Sequence, residues 1–119
     1  DSIPTSLGQE DHVSMGSISG RKALQVIENV EKILAIELLT ASQAFEYRKP
    51  LKSGVLLDEV HNLVRSKVSF AAKDRVFSDD IEIGIQLIKN IEVIKKVEET
   101  MKTHNLNWDS PYSKEFESY

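Results

Sequence analysis

From about Val13 the chain acquires a helical rhythm. Leu24, Ile27, Leu34, Leu38, Ala41 and Phe45 follow three- and four-residue steps, the spacing of one helix face. Ala23, Val26, Val30 and Ile33 form a second stripe beside the first. Between Ile33 and Leu39 every position but Glu37 is apolar. A helix apolar over most of its circumference must be surrounded rather than laid on one surface. So short a chain has little material to surround it. The pattern therefore predicts that this helix packs against other subunits or against segments outside the chain. Pro50 ends it, with Tyr47 to Lys49 as its last turn, because proline removes a donor and disfavours helix in the residue before it.

Two further helices are predicted. The first runs from about Gly54 to Ser66, with Leu56, Leu57, Val60, Leu63 and Val64 inward. Residues 69–78 are a connection of mixed character. Ser78, or Asp79 with Glu82 three residues on, has the chemistry of a helix start. From there Ile81, Ile85, Ile88, Ile91, Ile94, Val97 and Met101 mark a third helix to about His104. Its isoleucine and valine content favours strand, but its spacing and length favour helix. The ends read differently. Residues 1–12 hold Pro4, Gly8 and small polar residues with no apolar period, as a loop does. Residues 105–119 form a tail carrying Trp108, Tyr112, Phe116 and Tyr119, which either docks on a partner or frays. The division is thus a loop at 1–12, a helical region at 13–104 and a tail at 105–119.

Composition narrows the function. At 119 residues the chain is at most one domain. A net charge of −4 and a densest basic run of only Arg48-Lys49-Pro50-Leu51-Lys52 argue against nucleic acid, which needs a clustered basic face. No apolar run reaches the roughly 18 residues of a membrane span, and no signal peptide is apparent. The chain has no cysteine, which excludes disulfides and thiolate metal sites and suits the cytoplasm. It opens at Asp1, in the middle of a polar motif, and is expected to be part of a longer protein.

Candidate chemistry concentrates near the start. Thr5-Ser6-Leu7-Gly8-Gln9-Glu10-Asp11-His12-Val13-Ser14-Met15-Gly16 places an amide, two acids, an imidazole and hydroxyls ahead of the long helix. Glu10 can remove a proton or accept a hydrogen bond from a substrate imidazole. It or Asp11 can equally cap the helix, where an anion meets the positive dipole end. Gln9 offers donors and an acceptor. His12 can act as acid, base or structural group. Adjacent residues seldom converge on one ion, so no metal is expected. Glu37 is either a paired, buried carboxylate or an interface contact. His61 and Asp58 have the spacing of a surface pair.

This string resembles the T/S-S-A-N-Q-E-D-H-V-S-M-G signature of the histidine ammonia-lyases, within the aromatic amino acid lyase family. The likeness continues through Glu28-Asn29 and Ala35-Ile36-Glu37-Leu38-Leu39 to Arg48-Lys49-Pro50-Leu51-Lys52, then Val60-His61 and Asp74-Arg75-Val76. It implies an all-α fold, with this chain as the C-terminal part of an aromatic ammonia-lyase helical bundle: a long central helix plus two shorter ones. It implies elimination of ammonia from L-histidine to give urocanate, in histidine catabolism. It implies a homotetramer assembled through long helices. The family's methylidene-imidazolone electrophile forms from Ala-Ser-Gly, a triplet absent from this sequence. No cofactor is therefore expected in this chain; the electrophile would lie in a missing N-terminal part, and the isolated chain would be inactive. Glu10 matches the family's active-site glutamate as catalytic and substrate-binding residue, Gln9 as substrate-binding neighbour, and His12 as a residue shaping the site. A carboxylate at this place suits imidazole; the phenylalanine and tyrosine lyases more often carry glutamine in an N-Q-D context. Leu7-Gly8 replaces the usual Ala-Asn, which removes an amide and puts strict histidine specificity in question. The alternatives are a fragment of a tyrosine or phenylalanine lyase, or a non-catalytic helical module derived from the lyase fold.

Overall fold

The computed structural model describes the backbone of residues 9–107 and the side chains of residues 16–107. Four helices make up its regular structure: α1 (Gln9–Glu46), α2 (Val55–Lys67), α3 (Ser78–Lys89) and α4 (Glu92–Thr103). No strand occurs among the described residues. The fold is all-α, as the spacing predicts, with one helix more than expected. α1, at 38 residues, is about 57 Å long at 1.5 Å per residue. α3 packs on its C-terminal half, α4 packs on α2, and α3 and α4 meet at their junction.

The core sits where these pairs meet. Ala35, Val64, Val68, Ile85, Leu87 and Met101 are buried, and Leu87 and Val64 are almost wholly enclosed. α1 and α3 approach closely at Ala35 and Gly84. A Cβ on Gly84 would stand 3.1 Å from that of Ala35 and 3.5 Å from Leu39. Lys89 reaches Glu31 at 3.5 Å along the same contact. Across the other pair, Lys96 reaches Glu59 at 3.5 Å.

The ends of the helices follow local chemistry, with two exceptions. After Glu46 the chain closes one tight turn, with amides of Tyr47, Arg48 and Lys49 donating to the carbonyls of Ala44, Phe45 and Glu46. Pro50 then stops it, as expected. At the end of α4, Asn105 adopts a left-handed conformation (φ 53°). The Leu106 amide donates to the Met101 carbonyl at 2.8 Å and that of Asn105 to Lys102 at 3.3 Å. This is the paired-bond ending that asparagine tolerates well. The first exception is the start of α3. Phe77 precedes it, and neither Ser78 nor Asp79 caps it with a side chain.

The second exception is the predicted third helix, which is two helices. It breaks at Asn90–Ile91, where Ile91 takes φ 51° and ψ 27°. A β-branched residue there is strained by about 1–3 kcal/mol. The strain is offset because the two halves serve different neighbours: α3 covers α1 and α4 covers α2. The apolar spacing carries the trace of this, since Ile88, Ile91 and Ile94 step by three twice in succession and so drift around the helix.

The two halves of α1 differ in cover. Every residue from Gly16 to Val30 is exposed, including Ile18, Leu24, Val26 and Ile27. Beyond Glu31 one face turns inward, through Ala35 and Ser42, while Ile33 on the other remains 62% exposed. Glu37 is also exposed. It is therefore not a buried carboxylate within this chain. Trp108, Tyr112, Phe116 and Tyr119 lie outside the described residues.

Candidate functional site

Gln9, Glu10 and His12 stand in the first turn of α1, because that helix begins at Gln9. The expectation of a loop through residue 12 is corrected here. The absence of an apolar period in residues 9–12 hides a helix start whose four unpaired amides favour neighbouring acids such as Glu10 and Asp11. The side chains of residues 9–15 lie outside the described ones, so the roles expected for Gln9, Glu10 and His12 rest on their sequence. The backbone nevertheless fixes one point: residues 9–16 are continuous with the helix that follows.

At the far end of α1 the described side chains form a dense polar cluster. Glu46 lies between three cations or donors. Its Oε1 accepts from Arg65 Nε at 2.8 Å and lies 2.9 Å from His61 Nε2. Its Oε2 pairs with Lys49 Nζ at 2.7 Å. Lys49 and Arg65, with a smaller contribution from His61, hold the Glu46 carboxyl at about 2, against 4.5 ordinarily. Desolvation opposes them and loses.

Arg65 is spread across four partners. Besides Glu46 it donates to the carbonyls of Val68 (3.2 Å) and Ser42 (3.1 Å) and to Gln43 Oε1 (3.4 Å). Its guanidinium also stands 6.0 Å from the centre of the Phe70 ring. Only a planar fork of fixed donors satisfies so many acceptors at once. Gln43 in turn brackets Ala71: its amide donates to the Ala71 carbonyl at 2.8 Å and accepts from the Ala71 amide at 3.2 Å. α1, α2 and the connection to α3 are thereby tied together without a covalent link.

His61 corrects the surface pairing expected with Asp58. It is 7% exposed, bonds Glu46, and stacks at a tilt on Phe45 with ring centres 4.7 Å apart. Its Nδ1 is buried with no protein partner among the described residues. Asp58 instead accepts from the Ser53 amide at 3.2 Å, bracing the turn before α2. A second knot holds the connection itself. Arg75 donates to Asp80 at 2.9 Å, to Ser69 Oγ at 2.9 Å and to the Ser69 carbonyl at 2.7 Å. Between the two knots lies a cleft of about 650 Å³, floored by Ile36, Leu39, Val68 and Phe77.

The partners of Glu46, Arg65, Gln43 and Arg75 have no motif in the sequence. Glu46 and Arg65 are 19 residues apart, and no helical spacing connects them. This cluster is built to hold elements together. Its arginines and its carboxylate are committed to each other and to backbone. Among the described residues no three His, Asp or Glu side chains converge as metal ligands would. No described helix is long and apolar enough to cross a membrane.

The model of the family "aromatic amino acid lyase" matches residues 1–66, which contain the whole polar string and nearly all of α1 and α2. The histidine ammonia-lyase of Natranaerobius thermophilus is 52% identical over 101 residues, 85% of this chain and 20% of that protein. That of Pseudoalteromonas atlantica is 54% identical over 88 residues, 74% of this chain and 17% of that protein. The enzyme of Rattus norvegicus is 50% identical over 93 residues, 78% of this chain and 14% of that protein. The chain thus spans a fifth or less of the length of these curated relatives. The chain belongs to the aromatic amino acid lyase family.

Proposed function

We propose that this chain is the C-terminal portion of a histidine ammonia-lyase-like enzyme, which eliminates ammonia from L-histidine to give urocanate. The observation that carries this reading is the string Gln9-Glu10-Asp11-His12-Val13-Ser14-Met15-Gly16, lying within the family match. The histidine ammonia-lyases at about half identity support it. In this reading Glu10 is the base or the acceptor for the substrate imidazole, Gln9 binds beside it, and His12 shapes the site. All three lie in the first turn of α1. The methylidene-imidazolone group would supply the electrophile. This chain has no Ala-Ser-Gly from which to form it, so it belongs to a part of the enzyme beyond this chain. The chain alone is then inactive, and the assembled enzyme is a cytoplasmic homo-oligomer, a tetramer by family likeness.

The test is urocanate absorbance. The 119-residue chain alone should give no turnover, and in the full-length enzyme Glu10→Ala should lower kcat by about 10²-fold or more while the assembly keeps its size. A near-normal rate would remove Glu10 from the site. A second reading, a non-catalytic helical module, draws on the Leu7-Gly8 departure and on the bare face of α1. An Ala-Ser-Gly encoded upstream of Asp1 in the same reading frame would exclude it.

A further inference from the structure

The joint between α3 and α4 has no local cause. Sharp breaks in helices fall at glycine, at proline or at an inserted group. Residues 85–110 contain neither glycine nor proline. Asparagine tolerates the left-handed conformation, and Asn105 takes it where α4 ends. At the joint Asn90 stands one residue too early, and Ile91 takes φ 51° instead. The Asn90 amide still donates to the Gln86 carbonyl at 3.0 Å and that of Ile91 to Ile88 at 3.1 Å. The ladder resumes with the Lys95 amide on the Ile91 carbonyl at 2.9 Å. The break is thus confined to a single residue.

What bends the chain there is tertiary. α3 buries Gly84, Ile85 and Leu87, and α4 buries Thr100 and Met101. On one straight helix, turning about 100° per residue, Gly84 and Thr100 would point about 160° apart. α1 and α2 are tied to each other through Glu46, His61 and Arg65. A straight helix therefore covers one of them and not both. Without the seat on α2 the balance reverses. The straight form relieves Ile91 and offers the carbonyls at the end of α3 to the first-turn amides of α4, which lack intrahelical acceptors. Glu92 with Lys96 and Glu98 with Lys102 are four apart, acid first, and support α4 as a helix in either form.

We propose that the Asn90–Ile91 joint is a sprung hinge and α4 a lid on α2: released from α2, α4 swings out without unfolding and continues α3 as one straight helix. The lid rests on this backbone and not on the lyase reading, so urocanate turnover and the experiment below fail separately. The chain has no cysteine, so Thr100→Cys supplies a single thiol at a position that is 5% exposed. A swinging lid bares that thiol while the amides of α4 stay bonded. Thiol modification should therefore report opening more often than amide exchange in α4 does. Ile91→Gly removes the strain of the bent form and disfavours the straight one, and should slow the modification by about tenfold. Spin labels at Glu82→Cys and Glu99→Cys, both exposed, read the shape. Met101→Asp, which spoils the seat of α4, should lengthen their separation to about 26 Å, the span of a straight helix, with the helical circular dichroism kept. A thiol that reacts only as often as the amides exchange would overturn the hinge in favour of local melting. Equal modification with and without Ile91→Gly, or an unchanged label distance in a folded Met101→Asp chain, would overturn it too. If Met101→Asp unfolds the whole chain, the thiol comparison decides.

Discussion

The two halves of α1 both carry apolar stripes but have opposite circumstances. From Glu31 to Glu46 the helix is covered on one side by α3 and α2 and anchored at its end by Arg65 and His61. From Gly16 to Val30 nothing in the described chain covers it. An unsupported helix of some fifteen residues is marginal in water, since most helical stability in proteins comes from packing. The contrast shows that apolar spacing reports what a helix needs, not what the same chain supplies. The supplied half is a folding unit with α2, α3 and α4. The unsupplied half is exposed, and Glu10 lies just beyond it.

Substitutions can weigh one half against the other. Leu87→Ala strikes the covered half: it empties a nearly inaccessible site on α3 and should cost about 3 kcal/mol, read as a lower urea midpoint at constant slope. Gly84→Ala should cost roughly 1–3 kcal/mol, because its new methyl meets Ala35 at 3.1 Å and two helix backbones must separate. An unchanged midpoint there would mean that α1 and α3 are not in close contact. Acid response comes next. The depressed Glu46 carboxyl stabilises the fold above about 4.5 and loses that contribution as pH falls toward about 2. Glu46→Gln should therefore lower stability at neutral pH and flatten its decline between pH 4.5 and 2; an unaltered acid limb would place the acid sensitivity elsewhere. Leu24→Ala is the complement on the bare half. Leu24 shares the inward side with Ala35 but lies beyond α3 and is 59% exposed. It should change stability by less than about 0.5 kcal/mol, and a loss comparable to that of Leu87→Ala would erase the distinction between the halves.

What could be read from the sequence was local. Pro50 and the apolar step placed the end of α1, and the stripe from Leu56 to Val64 located α2 within a residue at each end. The opening string carried the family likeness. What could not be read depended on neighbours distant along the chain. The break at Ile91 exists because α3 and α4 lie on different helices, a division that spacing alone only hints at. His61 looked like a surface residue because Asp58 was near in sequence, whereas Glu46 was near in space. Asp80, beside the expected helix-start residues, serves Arg75 rather than the helix end. The start of α1 was hidden for another reason: Gln9 to His12 are polar on all sides, and a helix can begin among polar residues without declaring an apolar face.

The Gln43 bracket on Ala71 has a consequence for how this region tolerates change. Its two bonds are made to the main-chain amide and carbonyl of Ala71, groups that almost every amino acid possesses. The anchor thus reads position in the chain and is blind to side-chain identity. The connection between α2 and α3 is free to vary in composition around residue 71 while its path is kept. A deletion that changed which backbone unit arrives at Gln43 would be felt at once.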